Sequence, residues 1–175
     1  MSYYVFVVGP DGTGKTEISK RLAHELKVPR YKAPNERENW DDGTFLDSLW
    51  FDRLLPSYVR AEGAFAPGMV FDRGYACEHA YSVAFGRATH HTMIRKIDAE
   101  WAEIEAKHVL CLRRDYLRCR PDELVPATKL KEIEAAYLRF YAEVSRCDRL
   151  VLFVDDFDDD IDRQMRYLLP FLKGS

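Results

Sequence analysis

The sequence predicts an α/β fold: a mostly parallel, five-stranded sheet flanked by helices on both faces. Three observations carry this reading. Short apolar runs rich in β-branched and aromatic residues alternate with longer stretches of helical period, the pattern of strand–crossover–strand units. The strand-like runs are close to continuously apolar, as strands covered on both faces must be. The chain has 175 residues, 47% of them apolar, enough to bury a sizeable core. No internal repeat, low-complexity segment or linker interrupts it, so one domain over residues 1–175 is expected.

The elements follow in order. "YYVFVV", Tyr3 to Val8, is too short and too β-rich for a helix and forms the first strand. Lys15 to Leu26 places Ile18, Leu22 and Leu26 on one helical face. "VPRYKAP" is a weak second strand ended by Pro34. Phe45 to Glu62 has helical period, with Pro56 bending or splitting it. "GMVF" is a third strand, followed by a turn and a helix from about Cys77 to Phe85. Met93 to Ala106 aligns Ile94, Ile97, Trp101 and Ile104 on one face. "HVLCL" is the fourth strand, and Lys129 to Val144 carries the stripe Leu130, Ile133, Tyr137, Tyr141 and Val144. "LVLFV" is the fifth strand, and Ile161 to Leu172 closes the fold as a helix.

Composition excludes several classes of function. A net charge of −3 gives no long-range pull toward nucleic acid or an anionic membrane. Cys77, Cys111, Cys119 and Cys147 lack CxxC or zinc-ligand spacing, so they read as reduced thiols of an intracellular protein. The first apolar run lacks a basic leader, and no stretch approaches the roughly 20 apolar residues of a membrane span. A cytoplasmic location is expected.

Between the first strand and the first helix lies Gly9-Pro10-Asp11-Gly12-Thr13-Gly14-Lys15-Thr16. The spacing Gly-x-x-x-x-Gly-Lys-Thr is that of a Walker A loop. Its backbone amides and the dipole of the following helix favour a phosphate, and Lys15 can reach the outer phosphates. Thr16 offers a hydroxyl to Mg²⁺. A glycine-rich turn with an incidental lysine would not need the correct elements on both sides. A nucleoside triphosphate is expected here.

"VFDRGYACEHAYS", residues 70–82, adds a second site. Asp72 ends an apolar strand, so its carboxylate should emerge beside the loop and hold a magnesium-bound water. Arg73 presents a planar fork suited to a second phosphate, which a simple NTPase does not require. An ordinary surface Asp-Arg pair is the competing reading.

These residues resemble the thymidylate kinase family, within the wider nucleoside and nucleotide kinases. The likeness rests on Asp72, Arg73, Cys77, Ala80, Tyr81 and Ser82, on Asp11 and Gly12 in the loop, on Arg53 in "LWFDRLLPSYVRAEG", and on the helix "KEIEAAYLRFY". Cys77 and Ser82 depart from the family's serine and glutamine. Its base-stacking phenylalanine falls on Leu49, with Trp50 and Phe51 beside it. The resemblance implies a P-loop kinase fold and phosphoryl transfer from ATP, with Mg²⁺, to a thymidylate-like pyrimidine deoxynucleotide. It implies that Arg53 and Arg73 hold the acceptor phosphate, that Tyr81, Cys77 and Trp50 line the acceptor pocket, and that Asp11 approaches the sugar 3′-hydroxyl.

"LRRDYLRCRPDE" carries Arg113, Arg114, Arg118 and Arg120 between the fourth strand and a helix. In this fold class that is the lid, here about residues 113–125, where Arg118 or Arg120 can stabilise charge on the transferring group. A solvated loop neutralised by Asp115, Asp122 and Glu123 is the alternative. The clustered arginines should keep residues 113–123 mobile until phosphates bind. "DDFDDDID", residues 155–162, lacks the glycine and terminal glutamate of a calcium loop, and its acids suit a helix N-terminus. This segment can also flank the adenine. The histidines have no partner spacing and are assigned nothing.

Three other functions compete. A nucleoside acceptor would need a general base, for which Glu36 and Glu38 lie in the appropriate region. A kinase acting on a hydroxymethylated pyrimidine within DNA would need a basic groove. A slow P-loop NTPase regulator would not need Arg53 and Arg73. The chain would act alone or as a homodimer, with no membrane partner.

Overall fold

A computed structural model of the chain describes residues 3–32, 56, 67–119 and 125–174. Five strands form one sheet in the order β2-β3-β1-β4-β5, every neighbouring pair parallel. They are β1 (Tyr3–Val8), β2 (Arg30–Lys32), β3 (Gly68–Asp72), β4 (Lys107–Leu112) and β5 (Asp148–Phe153). The helices are α1 (Lys15–Leu26), α2 (Tyr75–Ala84), α3 (His91–Glu103), α4 (Ala127–Glu143) and α5 (Ile161–Lys173), with short 3₁₀ turns at Tyr116–Arg118 and Val154–Phe157. The expected fold class therefore holds. The predicted 45–62 helix lies outside the described residues, apart from Pro56. No helix among the described residues is long and apolar enough to cross a membrane.

The period-two geometry of the central strand explains the two layers. Tyr4, Phe6 and Val8 enter one core with α2, α3 and α4, while Val5 and Val7 enter the other with α1 and α5. Phe6 stacks on Phe71 at 4.4 Å between ring centroids and meets the edge of Trp101 at 5.0 Å. A continuously apolar strand is thus read correctly as buried on both sides. The helix expected from Cys77 starts earlier, at Tyr75, because the Tyr75 ring is itself core. The Cys77 amide donates to Gly74 O at 2.8 Å to open the first turn.

Tyr75 also organises a buried polar network. Its hydroxyl donates to Asp98 Oδ1 at 3.0 Å, meets His108 Nε2 at 3.0 Å, and lies 3.7 Å from Cys147 Sγ. The Tyr141 hydroxyl meets His108 Nδ1 at 2.5 Å. A neutral imidazole with its proton on Nε2 satisfies both contacts. Asp98, His108 and Cys147 bring ligand-type atoms within 4.8 Å of one another, yet Tyr75 already bonds to all three. The cluster lies toward the end of the sheet opposite the loop after β1, and serves packing.

Burial pushes His108 down to about 3, and burial together with the neighbouring His91 pushes His79 down to about 4. Both are neutral in the folded chain and titrate near 6.5 when unfolded. Their contribution to stability is complete above that value and is lost as pH falls through it toward 4. The urea midpoint should therefore drop between pH 7 and pH 5. A midpoint that stays constant over that interval would show that neither histidine is held neutral.

Candidate active site

The loop after β1 is shaped by close backbone approaches. Gly9 has φ 142°, and a Cβ there would stand 2.1 Å from Cys111 O on β4, so no side chain fits. Gly12 has φ 77°, and a Cβ there would meet Cys119 Sγ at 2.6 Å. The Thr13 hydroxyl ties the loop to itself by donating to Pro10 O at 2.8 Å. The loop then runs directly into α1 at Lys15, presenting a helix N-terminus. Lys15 is buried, and its ammonium donates back to Pro10 O at 2.5 Å and lies 3.8 Å from Asp11 Oδ1. Burial, and then the Arg73 charge, lower its pKa against the opposing pull of Asp11. A phosphate entering the loop would relieve both penalties.

Asp72 sits at the C-terminal end of β3, next to β1 in the sheet, and is almost fully buried. Its Oδ2 accepts from the Thr16 hydroxyl at 3.0 Å and from Arg30 Nη2 at 2.5 Å. Its Oδ1 is buried with no hydrogen-bond partner among the described residues. A free carboxylate oxygen beside a threonine hydroxyl is the hard-oxygen donor set that Mg²⁺ takes, so the residues fit that ion.

Arg73 adopts φ 78°, an uncommon left-handed conformation for a non-glycine residue. Its amide donates to Val7 O at 3.0 Å, and its guanidinium crosses to the loop, Nη2 donating to Asp11 Oδ1 at 2.7 Å. Burial opposes ionisation of Asp11, but Lys15 and Arg73 outweigh it and hold the carboxyl below its ordinary value. Burial likewise opposes the Arg73 charge, and Asp11 more than restores it. Cys77 and Tyr81 extend this group along α2. Burial raises the Cys77 thiol even beside Arg73, and burial plus the adjacent Asp11 raises the Tyr81 hydroxyl well above 10.

The structure thus gathers Asp11, Lys15, Thr16, Asp72, Arg73, Cys77 and Tyr81 where β1 and β3 end. Trp50, Arg53 and Arg120 lie outside the described residues, as do Glu36 and Glu38. The arginine-rich segment departs from expectation at its root. Arg113 forks onto Asp159 with Nη2–Oδ1 at 2.6 Å and Nη1–Oδ2 at 3.2 Å. Arg114 pairs with Asp156 at 2.9 Å and stacks over Phe153 at 3.5 Å. The amides of Arg114 and Asp115 donate to the Asp155 carboxylate. Residues 113–115 are therefore pinned rather than loose, because carboxylates some 40 positions away neutralise them. Arg118 lies 3.9 Å from Asp115 and, like Arg114, is largely exposed. Within the acidic run, Asp160 does cap α5, accepting from the amides of Asp162 and Arg163. Asp155, Asp156 and Asp159 do something the sequence reading did not anticipate.

Three residues at the site escaped sequence reasoning, Arg30, Glu78 and Tyr137, and a fourth, Arg113, takes a different place from the one expected. Arg30 links α1 to Asp72 by also donating to Ser19 Oγ at 2.8 Å. β2 is a half-buried edge strand, where an arginine is unremarkable in sequence, so only its contact with Asp72 marks it. Glu78 lies in the first turn of α2, where burial raises its carboxyl against the pull of Arg73 and Arg87. The Tyr137 hydroxyl reaches Gly9 O at 3.4 Å, and Arg113 Nε donates to Gly12 O at 2.8 Å. In the sequence Tyr137 reads as part of an apolar helical stripe and Arg113 as a lid arginine, since each meets the loop only through the fold.

The sheet order, the glycine-rich loop between β1 and α1, and the Asp-Arg corner after β3 define a P-loop kinase fold. No family model matches the sequence, and no curated protein is similar enough to count as a relative. Solved structures are similar in fold. YorR from Bacillus subtilis, solved in complex with phosphorylated GDP, is 18% identical with a TM-score of 0.68, covering 98% of each chain. Deoxyadenosine kinase from M. mycoides with dCMP and dCDP is 15% identical with a TM-score of 0.60, covering 98% of this chain and 100% of the other. Thymidylate kinase from Candida albicans is 12% identical with a TM-score of 0.56, covering 99% and 92%.

Proposed function

We propose that this chain is a single-domain, cytoplasmic nucleotide kinase that transfers the γ-phosphoryl of ATP to a pyrimidine deoxynucleotide, a thymidylate-like monophosphate. The observation that carries the reading is the convergence of Lys15 and Arg73 on Asp11. Two separate cations, a lysine from the phosphate loop and an arginine from the corner after β3, meet at one carboxylate at the mouth of that loop. They suit a pair of phosphates brought face to face.

In this reading Gly9 to Thr16 cradle the donor phosphates, and Lys15 leaves Pro10 O to neutralise them. Thr16 and Asp72 Oδ1 would hold Mg²⁺, which would supply neutralisation of the donor's phosphate charge. Arg73 and Arg53 hold the acceptor phosphate, while Asp11, Trp50, Cys77 and Tyr81 form the acceptor pocket. The acceptor brings an ionised oxygen, so the protein's task is positioning and charge neutralisation rather than proton removal. That oxygen bonds to the γ-phosphorus as the bond to the β-bridging oxygen breaks, leaving ADP. Arg118 or Arg120 stabilises the charge on the moving group from a lid at about 113–125.

A nucleoside acceptor is the second reading, favoured by one observation. Glu78 lies beside Arg73 with its carboxyl raised by burial, as a base receiving a hydroxyl proton would need. Transfer of labelled γ-phosphate to a panel of deoxynucleosides, deoxynucleoside monophosphates and hydroxymethylated DNA separates the readings. Label appearing in thymidylate-like monophosphates is expected. Label in nucleosides or in DNA alone would move the acceptor class, and label only in free phosphate would make the protein an NTPase.

A further inference from the structure

The buried guanidinium of Arg113 is the one side chain among the described residues shown joining the phosphate loop to the segment after β5. Its Nε donates to Gly12 O at 2.8 Å, and its fork holds Asp159 at 2.6 and 3.2 Å. The segment it holds is a bent one. Asp158 and Asp159 have φ 54° and 57°, two successive left-handed non-glycine residues between the 3₁₀ turn at Val154–Phe157 and α5. Such a corner persists only where its surroundings over-determine it. Here Arg113 grips Asp159, while the Asp160 side chain accepts from the amides of Asp162 and Arg163. The same segment is stitched further to the end of β4, through Asp155 to two amides and Asp156 to Arg114.

Position gives this link a use. The phosphate loop follows β1, and the Asp72–Arg73 corner occupies the β3 side of it. A donor nucleotide whose phosphates fill the loop must extend its nucleoside toward the other side, where β4 and β5 end. We propose that Arg113 is a positioning residue that sets the spacing between the donor's phosphate cradle and the wall against which its base lies. The proposal rests on the donor-site reading above. The Arg113 guanidinium is engaged by Gly12 O and by the Asp159 carboxylate. Removing it leaves the lysine and the loop sequence intact but frees the Asp158–Asp159 corner from Gly12, so the two halves of the donor site are no longer held in register. The effect should appear only for ligands that span both halves.

That distinction makes the test. Affinities for ATP and for inorganic tripolyphosphate, which has phosphates and no base, are measured on the wild type, Arg113→Ala and Asp159→Ala, with Tm as a check of folding. The wild type should bind ATP more tightly than tripolyphosphate. Both variants should weaken ATP by about tenfold while leaving tripolyphosphate within about twofold. The double variant should be no worse than either single one, because both break the same link. Equal losses for both ligands would overturn the proposal in favour of simple support of the phosphate loop. Unchanged affinities for both would also overturn it. If Arg113→Ala proves unfolded, Asp159→Asn, which keeps an acceptor but loses the charge, carries the same comparison. A wild type that binds neither ligand would instead refute the donor-site reading itself.

Discussion

Replacing Lys15 by alanine removes phosphoryl transfer while leaving the fold intact. The lysine is buried, yet its polar contacts are with the loop's own Pro10 carbonyl and with Asp11. Its loss therefore takes none of these polar contacts from the sheet. What is lost is the one ammonium able to follow the outer phosphates into the transition state, an effect of about a hundredfold or more on kcat. Asp11 would then keep Arg73 as its partner at 2.7 Å and remain ionised, so the loop stays closed. Steady-state turnover with ATP, alongside a thermal unfolding curve, decides it. Turnover within a few-fold of the wild type at unchanged Tm would remove Lys15 from the donor site.

The second large effect is expected at Arg73. Arg73→Ala should raise the acceptor KM and lower kcat, with kcat/KM falling by a factor equivalent to about 2–4 kcal/mol. ATP affinity should stay nearly unchanged, since Asp11 loses one cation but keeps Lys15 at 3.8 Å. The substitution leaves the cost of a backbone held at φ 78° in place, a conformation alanine tolerates no better than arginine, but removes the contact to Asp11 that holds it there. A parallel Arg73→Lys variant controls for this. It restores the charge without the fork and should recover only part of the loss. If ATP binding collapses while the acceptor KM holds, Arg73 serves the donor and the acceptor assignment fails.

The two arginine groups show where sequence reading stops. Arg73 was identifiable because its neighbours in the chain, an apolar strand before it and a helix after it, fix its place at the sheet edge. Arg113 and Arg114 were grouped with Arg118 and Arg120 because they are adjacent in the chain, and adjacency predicts mutual repulsion. In the fold the repulsion vanishes at the root of the segment, where Asp155, Asp156 and Asp159 face it. Charges separated by some 40 positions meet only because β4 and β5 pair in parallel and end side by side.

The sequence by itself determined the strand and helix alternation, the parallel sheet and the phosphate loop. Each of these is written in local terms: apolar runs of strand length, helical period, and glycines where the backbone must pass close to another strand. Lys15, Thr16, Asp72 and Arg73 were legible for the same reason, because strand ends and helix starts give them their positions. Only the tertiary structure decided which partners they take. Arg30 on Asp72, Arg73 on Asp11 and Arg113 between Gly12 and Asp159 are contacts across 42, 62, 101 and 46 positions of chain. Hydrogen bonds and ion pairs depend on distances of a few ångströms, and those are set by packing of the two cores rather than by any spacing along the chain.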